Sequence, residues 1–368
     1  MSDQEFRYPA LRIKQTSSDK MLALFSAPCH QIEKWAGVPQ KKTFGKAETT
    51  GFQREFSEKR LSSLIAFFSD PENIIQNPLI CSTRSGGLGD ISYQFDENGI
   101  GEVVLQLPDL DEIGLIEVLK MVAGNIEGRV SSLAGTEPSE QFMNDLKMLA
   151  TDEGHELDVE SFVTSDDSSI EGDQGDPESV LFEETHIVDF WNEVKGRALL
   201  AEELDIKEDE FLGFEKYSLI QFLLPVALVD GQHRLRGSML SLEKVIESHA
   251  SRNYIAEQAV LGKKEVEVYD ALYSQHARVL PISLMLDDSP EEQVFQFVII
   301  NQKATPLQKP LLSTIISTTL AAEELEKVQA RLKDAGMELT DAQAVTWAAR
   351  APESPFNNLV ERGVASTG

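Results

Sequence analysis

The chain has few cysteines, and it has no long apolar run. Two cysteines among 368 residues, Cys29 and Cys81, are too few for a disulfide framework, and neither forms a CxxC or CxxH pair typical of zinc sites. No stretch approaches the roughly 20 apolar residues that a membrane-spanning helix needs, and the first residues lack the order of a signal peptide. These absences predict a soluble cytoplasmic protein with ordinary thiols and no membrane contact.

Basic residues are also scarce. The 33 Lys and Arg residues face 62 Asp and Glu residues, which gives a formal net charge of −29. DNA affinity comes largely from cations that displace counterions, so this charge opposes extensive non-specific binding to phosphate backbones. Any DNA contact is expected to be local, or to be made through a basic partner protein.

The acidic residues are most concentrated between Thr151 and Glu184. This stretch has 13 Asp or Glu residues and no Lys or Arg. Its like charges repel, and it offers few apolar anchors. We therefore predict a solvated linker that is dispensable for the core.

Hydrophobic residues make up 41% of the chain, which is typical of a globular protein with room for one large or two ordinary domains. Their periodicity predicts an α/β chain of the α+β type. The predicted helices are 57–70, 110–125, 139–149, 190–204, 235–248, 290–300 and further helices within 311–339. The predicted strands are 78–83, 100–107, 226–229 and 278–286, and periodicity alone leaves a helix as the alternative at 226–229.

The first 50 residues show little periodicity. We interpret them as a solvated, partly mobile arm, and the basic cluster Lys41, Lys42 and Lys46 leaves a nucleic-acid or partner contact as the alternative. At the other end, little follows the segment 355–359. We expect the natural protein to continue beyond Gly368.

The motif with the most chemistry is Asp230-Gly231-Gln232-His233-Arg234. It lies between a predicted buried strand and a predicted helix, so the helix N-terminus would point its N–H groups and positive dipole end at one spot. Gly231 would let an anion approach the backbone, Arg234 offers a planar charged fork, and His233 exchanges protons near neutral pH. Three readings stay open: a turn with a structural Asp–Arg pair, a phosphate site, or acid–base chemistry.

Val229 to Leu235 resembles the signature of DGQHR-domain proteins, a family of bacterial DNA-modification and defence systems that includes the regulator encoded beside phosphorothioate DNA-modification genes. The same residues are similar to the phosphate-binding box of ParB and to the corresponding box of sulfiredoxin, which share one small α/β fold. The segments that flank this motif occur in the same order as in the family. Phe52-Gln53-Arg54 resembles the family's opening Arg, and residues 77–80 resemble the strand entry that follows it. Residues 297–306 resemble the family's Phe-x-x-Ile-Asn segment.

The resemblance implies a small mixed sheet with flanking helices, encoded in two parts, 51–106 and 216–310. A helical, acidic insertion, 107–215, with its linker 151–184 would separate the two parts. The arm 1–50 would precede them, and a helical segment 311–368 would follow. The implied nucleotide- and phosphate-binding residues are Arg54, Asp230, Gly231, Gln232, His233, Arg234, Asn301 and Lys303.

Two departures from the related families limit the transfer. Sulfiredoxin uses a cysteine inside its box, and Gln232 stands there in this chain, so a sulfinic-acid reductase is not expected. ParB uses a glutamate of its second box in metal coordination, whereas Ile300 precedes Asn301 here. A clamp that closes on CTP and any particular metal geometry are therefore in doubt.

Three functions follow as hypotheses. The first is a nucleoside-triphosphate hydrolase acting on ATP or CTP, in which Gln232 or His233 positions the attacking water and Asp230 is the candidate ligand for Mg²⁺. The second is a DNA-binding regulator without turnover. The third is an adaptor that docks on a modification enzyme through its acidic insertion. A homo-oligomer is compatible with each of them.

Overall fold

The computed structural model describes residues 4–18, 20–38, 43–44, 47–48, 58–151, 186–304 and 320–335. The strands in chain order are β1 (Gln4–Ile13), β2 (Leu22–Pro28), β3 (Ala36–Gly37), β4 (Thr43–Phe44), β5 (Ala47–Glu48), β6 (Leu79–Thr83), β7 (Asp90–Phe95), β8 (Ile100–Leu107), β9 (Glu210–Phe211), β10 (Phe214–Glu215), β11 (Val226–Asp230) and β12 (Val279–Met285).

The helices of the described residues are α1 (Cys29–Trp35), α2 (Glu58–Ser69), α3 (Leu115–Arg129), α4 (Glu140–Thr151), α5 (His186–Glu203), α6 (Lys216–Ile220), α7 (Gln232–Ile246), α8 (His249–Val260), α9 (Glu265–His276), α10 (Pro290–Ala304) and α11 (Ala322–Asp334). A short 3-10 turn covers Ser131–Leu133. In the part of the chain that is described, no helix is both long and apolar enough to cross a membrane.

The chain divides into two compact units. The first unit contains residues 1–39, 53–113 and 220–289, and the second contains 40–52, 114–219 and 290–368. The central motif belongs to the first unit. Residues 152–184, which are nearly all of the predicted acidic linker, lie outside the described residues.

An eight-stranded mixed sheet organises the first unit, with the strand order β3-β11-β6-β12-β2-β1-β8-β7. The pairs β3 with β11 and β6 with β12 are parallel, and the other neighbours are antiparallel. The α+β class is thereby confirmed. The sheet is larger than the small one that the sequence predicts.

The enlargement comes mostly from residues 4–37, and the interpretation of this part of the chain as a mobile arm is wrong. The basic cluster Lys41, Lys42 and Lys46 lies outside the described residues. The strands β1 and β2 lie inside the sheet, and Tyr8, Phe25 and Trp35 are buried with their rings in contact. The period of two is hidden in the sequence because the exposed face of β1 also carries apolar residues, among them Leu11.

Helix α2 packs along α7, and the two helices run in the same direction. Leu64 faces Gly237, and one turn further Ser69 Oγ lies 3.2 Å from Ser241 Oγ. A Cβ atom on Gly237 would lie 2.7 Å from Leu64 Cβ, so glycine permits this close approach. Arg278 holds the far end of α2, because its Nη2 donates to the carbonyl oxygen of Phe68 at 2.7 Å.

The second unit is mainly helical, with α3 and α4 both packed on α5. Its core contains Phe190 and Trp191, and the indole Nε1 of Trp191 donates to Glu127 at 3.0 Å. Helix α11 packs on α10, where Arg331 binds the buried Glu292 at 2.6 Å. Helices α3, α4 and α5 lie in the predicted insertion 107–215, and α11 lies in the predicted C-terminal segment 311–368. Helix α10 lies in the predicted core part 216–310, but it belongs to the second unit.

Candidate functional site

The central motif forms a strand, a tight turn and a helix start, as its sequence predicts. Val226 to Val229 in β11 are fully buried, and Gly231 caps α7 in the left-handed region with φ 109°. A Cβ atom on Gly231 would lie 2.6 Å from Leu79 Cδ2 and 3.0 Å from Arg234 Nη2. Glycine is therefore required by both the backbone conformation and the lack of space.

Arg234 is engaged with the protein itself. Its Nη2 donates to Asp230 Oδ2 at 2.6 Å, and its Nη1 donates to the carbonyl oxygens of Asn77 and Pro78 at 2.7 and 2.8 Å. Burial lowers the pKa of Arg234, and the Asp230 carboxylate opposes this by raising it. Of the three readings left open by the sequence, the structural Asp–Arg pair is the one that these contacts describe.

His233 is the half-buried side chain of the turn. Burial lowers the pKa of His233, and the nearby Arg60 lowers it further, whereas Asp230 raises it. The neutral imidazole is therefore favoured near neutral pH. It keeps the capacity to accept a proton or to donate one hydrogen bond.

Arg60 is the site residue that the sequence did not indicate. It is exposed in the first turn of α2, and it acts electrostatically on both His233 and Arg234. Its neighbourhood follows from the parallel packing of α2 on α7, which no local pattern in the sequence reports. The sequence predicts the helix 57–70, but it does not indicate which helix packs against it.

The starts of α2 and α7 thus lie side by side. Leu235 N donates to Gly231 O, which is the first hydrogen bond inside α7. The first N–H groups of a helix point out of its start. Two parallel helices also place the positive ends of their dipoles at the same edge. The edge suits an anion despite the net charge of −29 because distant charges are screened beyond about 10 Å.

Gln232 and Cys81 lie on the inner side of the turn. Gln232 is only 6% exposed, so it does not face the solvent at the helix start. Burial raises the pKa of the Cys81 thiol to about 12, although Arg234 lowers it somewhat. Cys81 is therefore a packing residue, in agreement with the expectation of ordinary thiols.

The remaining predicted residues are not brought into this site by the described contacts. Arg54 lies outside the described residues. Asn301 and Lys303 belong to the last turn of α10 in the second unit, and their side chains are outside the description as well. Their predicted roles in phosphate binding stay predictions.

The role of Asp230 as a magnesium ligand stays a prediction. Its Oδ2 atom holds Arg234, and no group of three His, Cys, Asp or Glu side chains suited to a metal ion occurs in the described ranges. Arg236, two positions beyond Arg234, pairs with Glu243 at 3.2 Å and lies 3.8 Å from Glu33. Arg236 is therefore engaged in ion pairs away from the turn.

No protein-family model, no curated protein and no solved structure matches this chain. The resemblance to DGQHR-domain proteins, ParB and sulfiredoxin therefore stays a prediction from the motifs. The geometry of the turn has to support any function by itself.

Proposed function

We propose that the start of α7 binds the phosphate groups of a nucleotide. The observation that carries this proposal is the parallel packing of α2 along α7, which brings the charge of Arg60 near enough to act on His233. A phosphate there would accept hydrogen bonds from the Arg60 guanidinium and from the N–H groups of the first turn of α7. ATP and CTP are the candidate ligands, in keeping with the motif resemblance.

In this proposal Arg234 and Asp230 are positioning residues. Their ion pair joins the start of α7 to the carbonyl groups that precede β6. The pair fixes the direction of the first helical turn and keeps Asp230 from repelling an anion. The phosphate contacts are then His233 and Arg60, together with the backbone, rather than the Arg234 fork.

We further propose that the bound nucleoside triphosphate is hydrolysed, as part of a bacterial DNA-modification or defence system of the kind that the resemblance implies. Phosphoryl transfer depends mostly on positioning and charge stabilisation, which a cationic helix edge supplies. The lowered pKa of His233 leaves its imidazole neutral at pH 7. A neutral imidazole at this place would orient a water molecule toward the terminal phosphate.

Phosphate release from ATP, CTP and GTP, with and without Mg²⁺, measured beside calorimetric binding of the same nucleotides, separates binding from turnover. Wild type is expected to release phosphate from at least one of them, and His233→Asn is expected to lower the rate about 100-fold, within the range for general acid–base groups. His276→Asn, which changes an exposed residue at the end of α9, is the control. Binding without any release would contradict hydrolysis and leave a nucleotide-binding regulator.

A further inference from the structure

The two edges of the large sheet differ in length and exposure. Strand β3 forms one edge with only two residues, Ala36 and Gly37, and both are buried. Strand β7 forms the other edge with six residues, and none of them is buried. Proteins protect edge strands with short lengths, Pro, Lys or bulges, and β7 has none of these features. Within the described part of the chain, no strand pairs with the outer side of β7.

The ladder between β7 and β8 identifies the backbone groups that point outward. Asp96 N donates to Ile100 O at 2.9 Å, so the pair next to the turn is hydrogen-bonded. Hydrogen-bonded and non-hydrogen-bonded pairs alternate along an antiparallel ladder. Ile91, Tyr93 and Phe95 therefore form the non-hydrogen-bonded pairs with β8. Their N–H and C=O groups point to the open edge.

The side chains of the same three residues continue the core face of the sheet. Ile91 and Tyr93 lie opposite Leu105 and Val103 of β8, which are fully buried, and directly opposite side chains share a face. Tyr93 is 45% exposed, and its ring centroid lies 6.0 Å from that of Phe95. The apolar layer is thus only partly covered at β7. An added strand with an apolar side chain at every second position would cover it.

The hairpin that carries this edge is acidic. Residues 90–107 contain no Lys or Arg, and their acidic residues are Asp90, Asp96, Glu97 and Glu102. Of the nearby cations of β1, Arg7 pairs with Glu102 and Arg12 donates to Asp96 O. Asp90 and Glu97 are exposed and form no ion pair with the described residues. A basic partner is therefore favoured, and a second copy with its own charge of −29 is disfavoured.

We propose that β7 receives an extended basic segment of another protein as a ninth, antiparallel strand of the sheet. The neighbouring pairs β2 with β1, β1 with β8 and β8 with β7 are all antiparallel, and the added strand continues this part of the sheet. Its apolar residues would lie opposite Ile91, Tyr93 and Phe95. The Lys or Arg residues between them would lie on the face of Asp90. Backbone hydrogen bonds supply the affinity in this mode of recognition, and alternate side chains supply the selectivity. The proposal does not rest on phosphate binding at α7.

A fluorescein-labelled heptapeptide that alternates lysine and valine, with lysine at both ends, is the probe. Its fluorescence anisotropy is measured with the full chain, and saturable binding is expected. Methylation of the valine nitrogens removes the donors that face β7, so it should weaken binding by about 10-fold or more. Methylation of two inner lysine nitrogens is the matched control, because those N–H groups face away from β7 in an antiparallel strand and their loss should leave the affinity unchanged.

Two variants of the protein test the same contact. Tyr93→Pro removes an outward N–H group without removing a hydrogen bond to β8, and it should bind the peptide about 10-fold more weakly than Tyr93→Val, which loses the same ring but keeps the N–H group. Asp90→Lys should weaken binding about 10-fold as well. Its control is Glu72→Lys, which adds the same charge at an exposed residue between α2 and β6 and should bind like wild type.

Several results would overturn the proposal. These are the absence of saturable binding by wild type, equal affinity for the two methylated peptides, and equal affinity of folded Tyr93→Pro and Tyr93→Val. A folded Asp90→Lys variant that binds like wild type would overturn the basic character of the partner. Sedimentation velocity completes the test, because self-association that Tyr93→Pro abolishes would assign β7 to a second copy and would overturn the proposal too.

Discussion

Arg234 and Asp230 form an ion pair across the first turn of α7, with 2.6 Å between Nη2 and Oδ2. The same guanidinium holds the two carbonyl oxygens that precede β6. The Arg234 side chain therefore connects the end of β11, the start of β6 and the start of α7. This tie connects the stability of the first unit to the geometry of the proposed phosphate site.

The Arg234→Ala variant is expected to lose about 2–4 kcal/mol of unfolding free energy. The change removes three hydrogen bonds and leaves a partly buried carboxylate and two carbonyl groups without their donor. Urea unfolding measures it. Arg236→Ala is the control because its ion pairs lie at a more exposed position and such pairs contribute roughly 0–1 kcal/mol. Equal losses of unfolding free energy in the two variants would contradict this stabilising role of Arg234.

The Gly231→Ala variant is expected to lose more stability than Gly262→Ala. Both glycines are in the left-handed region, but an added Cβ at Gly231 meets Leu79 and Arg234, and one at Gly262 meets no atom within 4 Å. Backbone strain alone costs about 1 kcal/mol, and the overlap adds about 1–3 kcal/mol. Thermal or urea unfolding in dilute solution compares them. If Gly262→Ala were less stable than Gly231→Ala, this prediction would be contradicted.

Gly237→Ala is expected to separate α2 from α7. The added methyl group would overlap Leu64, so stability should fall by about 1–3 kcal/mol, and Arg60 should move away from His233. The control is Gly124→Ala in α3, where nothing lies within 4 Å and the exchange should stabilise by about 0.5–1 kcal/mol. Phosphate affinity measured beside unfolding should fall only in Gly237→Ala. Unchanged affinity in both variants would argue against the paired helix starts.

The first unit is expected to become less stable as the pH is lowered, because of His233. Its pKa lies below the ordinary value of about 6.5, so the unfolded chain binds more protons than the folded chain just below that pH. The stabilisation from neutral His233 is present above pH 6.5 and is lost as the pH falls toward the folded pKa.

Urea unfolding at pH 7.5 and 5.5 measures this loss, and His233→Asn should lose less than wild type. The exposed His276→Asn variant serves as the control and should behave like wild type. If His233→Asn and wild type lose the same free energy, His233 does not have the lowered pKa.

Much of the local structure follows from the sequence. The strands at 79–83, 100–107 and 226–230 agree with the alternating or continuous apolar residues of these segments. Helix α10 begins at the predicted Pro290. The change from strand to helix at Gly231 also agrees with the prediction from the sequence. These features depend on neighbours in the sequence, which single-chain patterns describe well.

The missed features depend on contacts between distant residues. The position of β1 between β2 and β8 is decided by pairing over about 100 residues, from Gln4 to Leu107. Helix packing brings Arg60 near His233. The carbonyl groups that accept hydrogen bonds from Arg234 lie 156 and 157 positions earlier in the chain. A motif identifies the chemistry available, but the fold decides which groups are already engaged.

Calorimetric titration with ATP, CTP and inorganic tripolyphosphate tests the central claim most directly. Wild type is expected to bind at least one of them, and Arg60→Ala is expected to bind about 10- to 100-fold more weakly, which corresponds to the loss of one charge-assisted contact of about 1.5–3 kcal/mol. Arg236→Ala removes the same charge outside the site and should bind like wild type. No binding by wild type, or equal binding by a folded Arg60→Ala variant, would contradict the phosphate site.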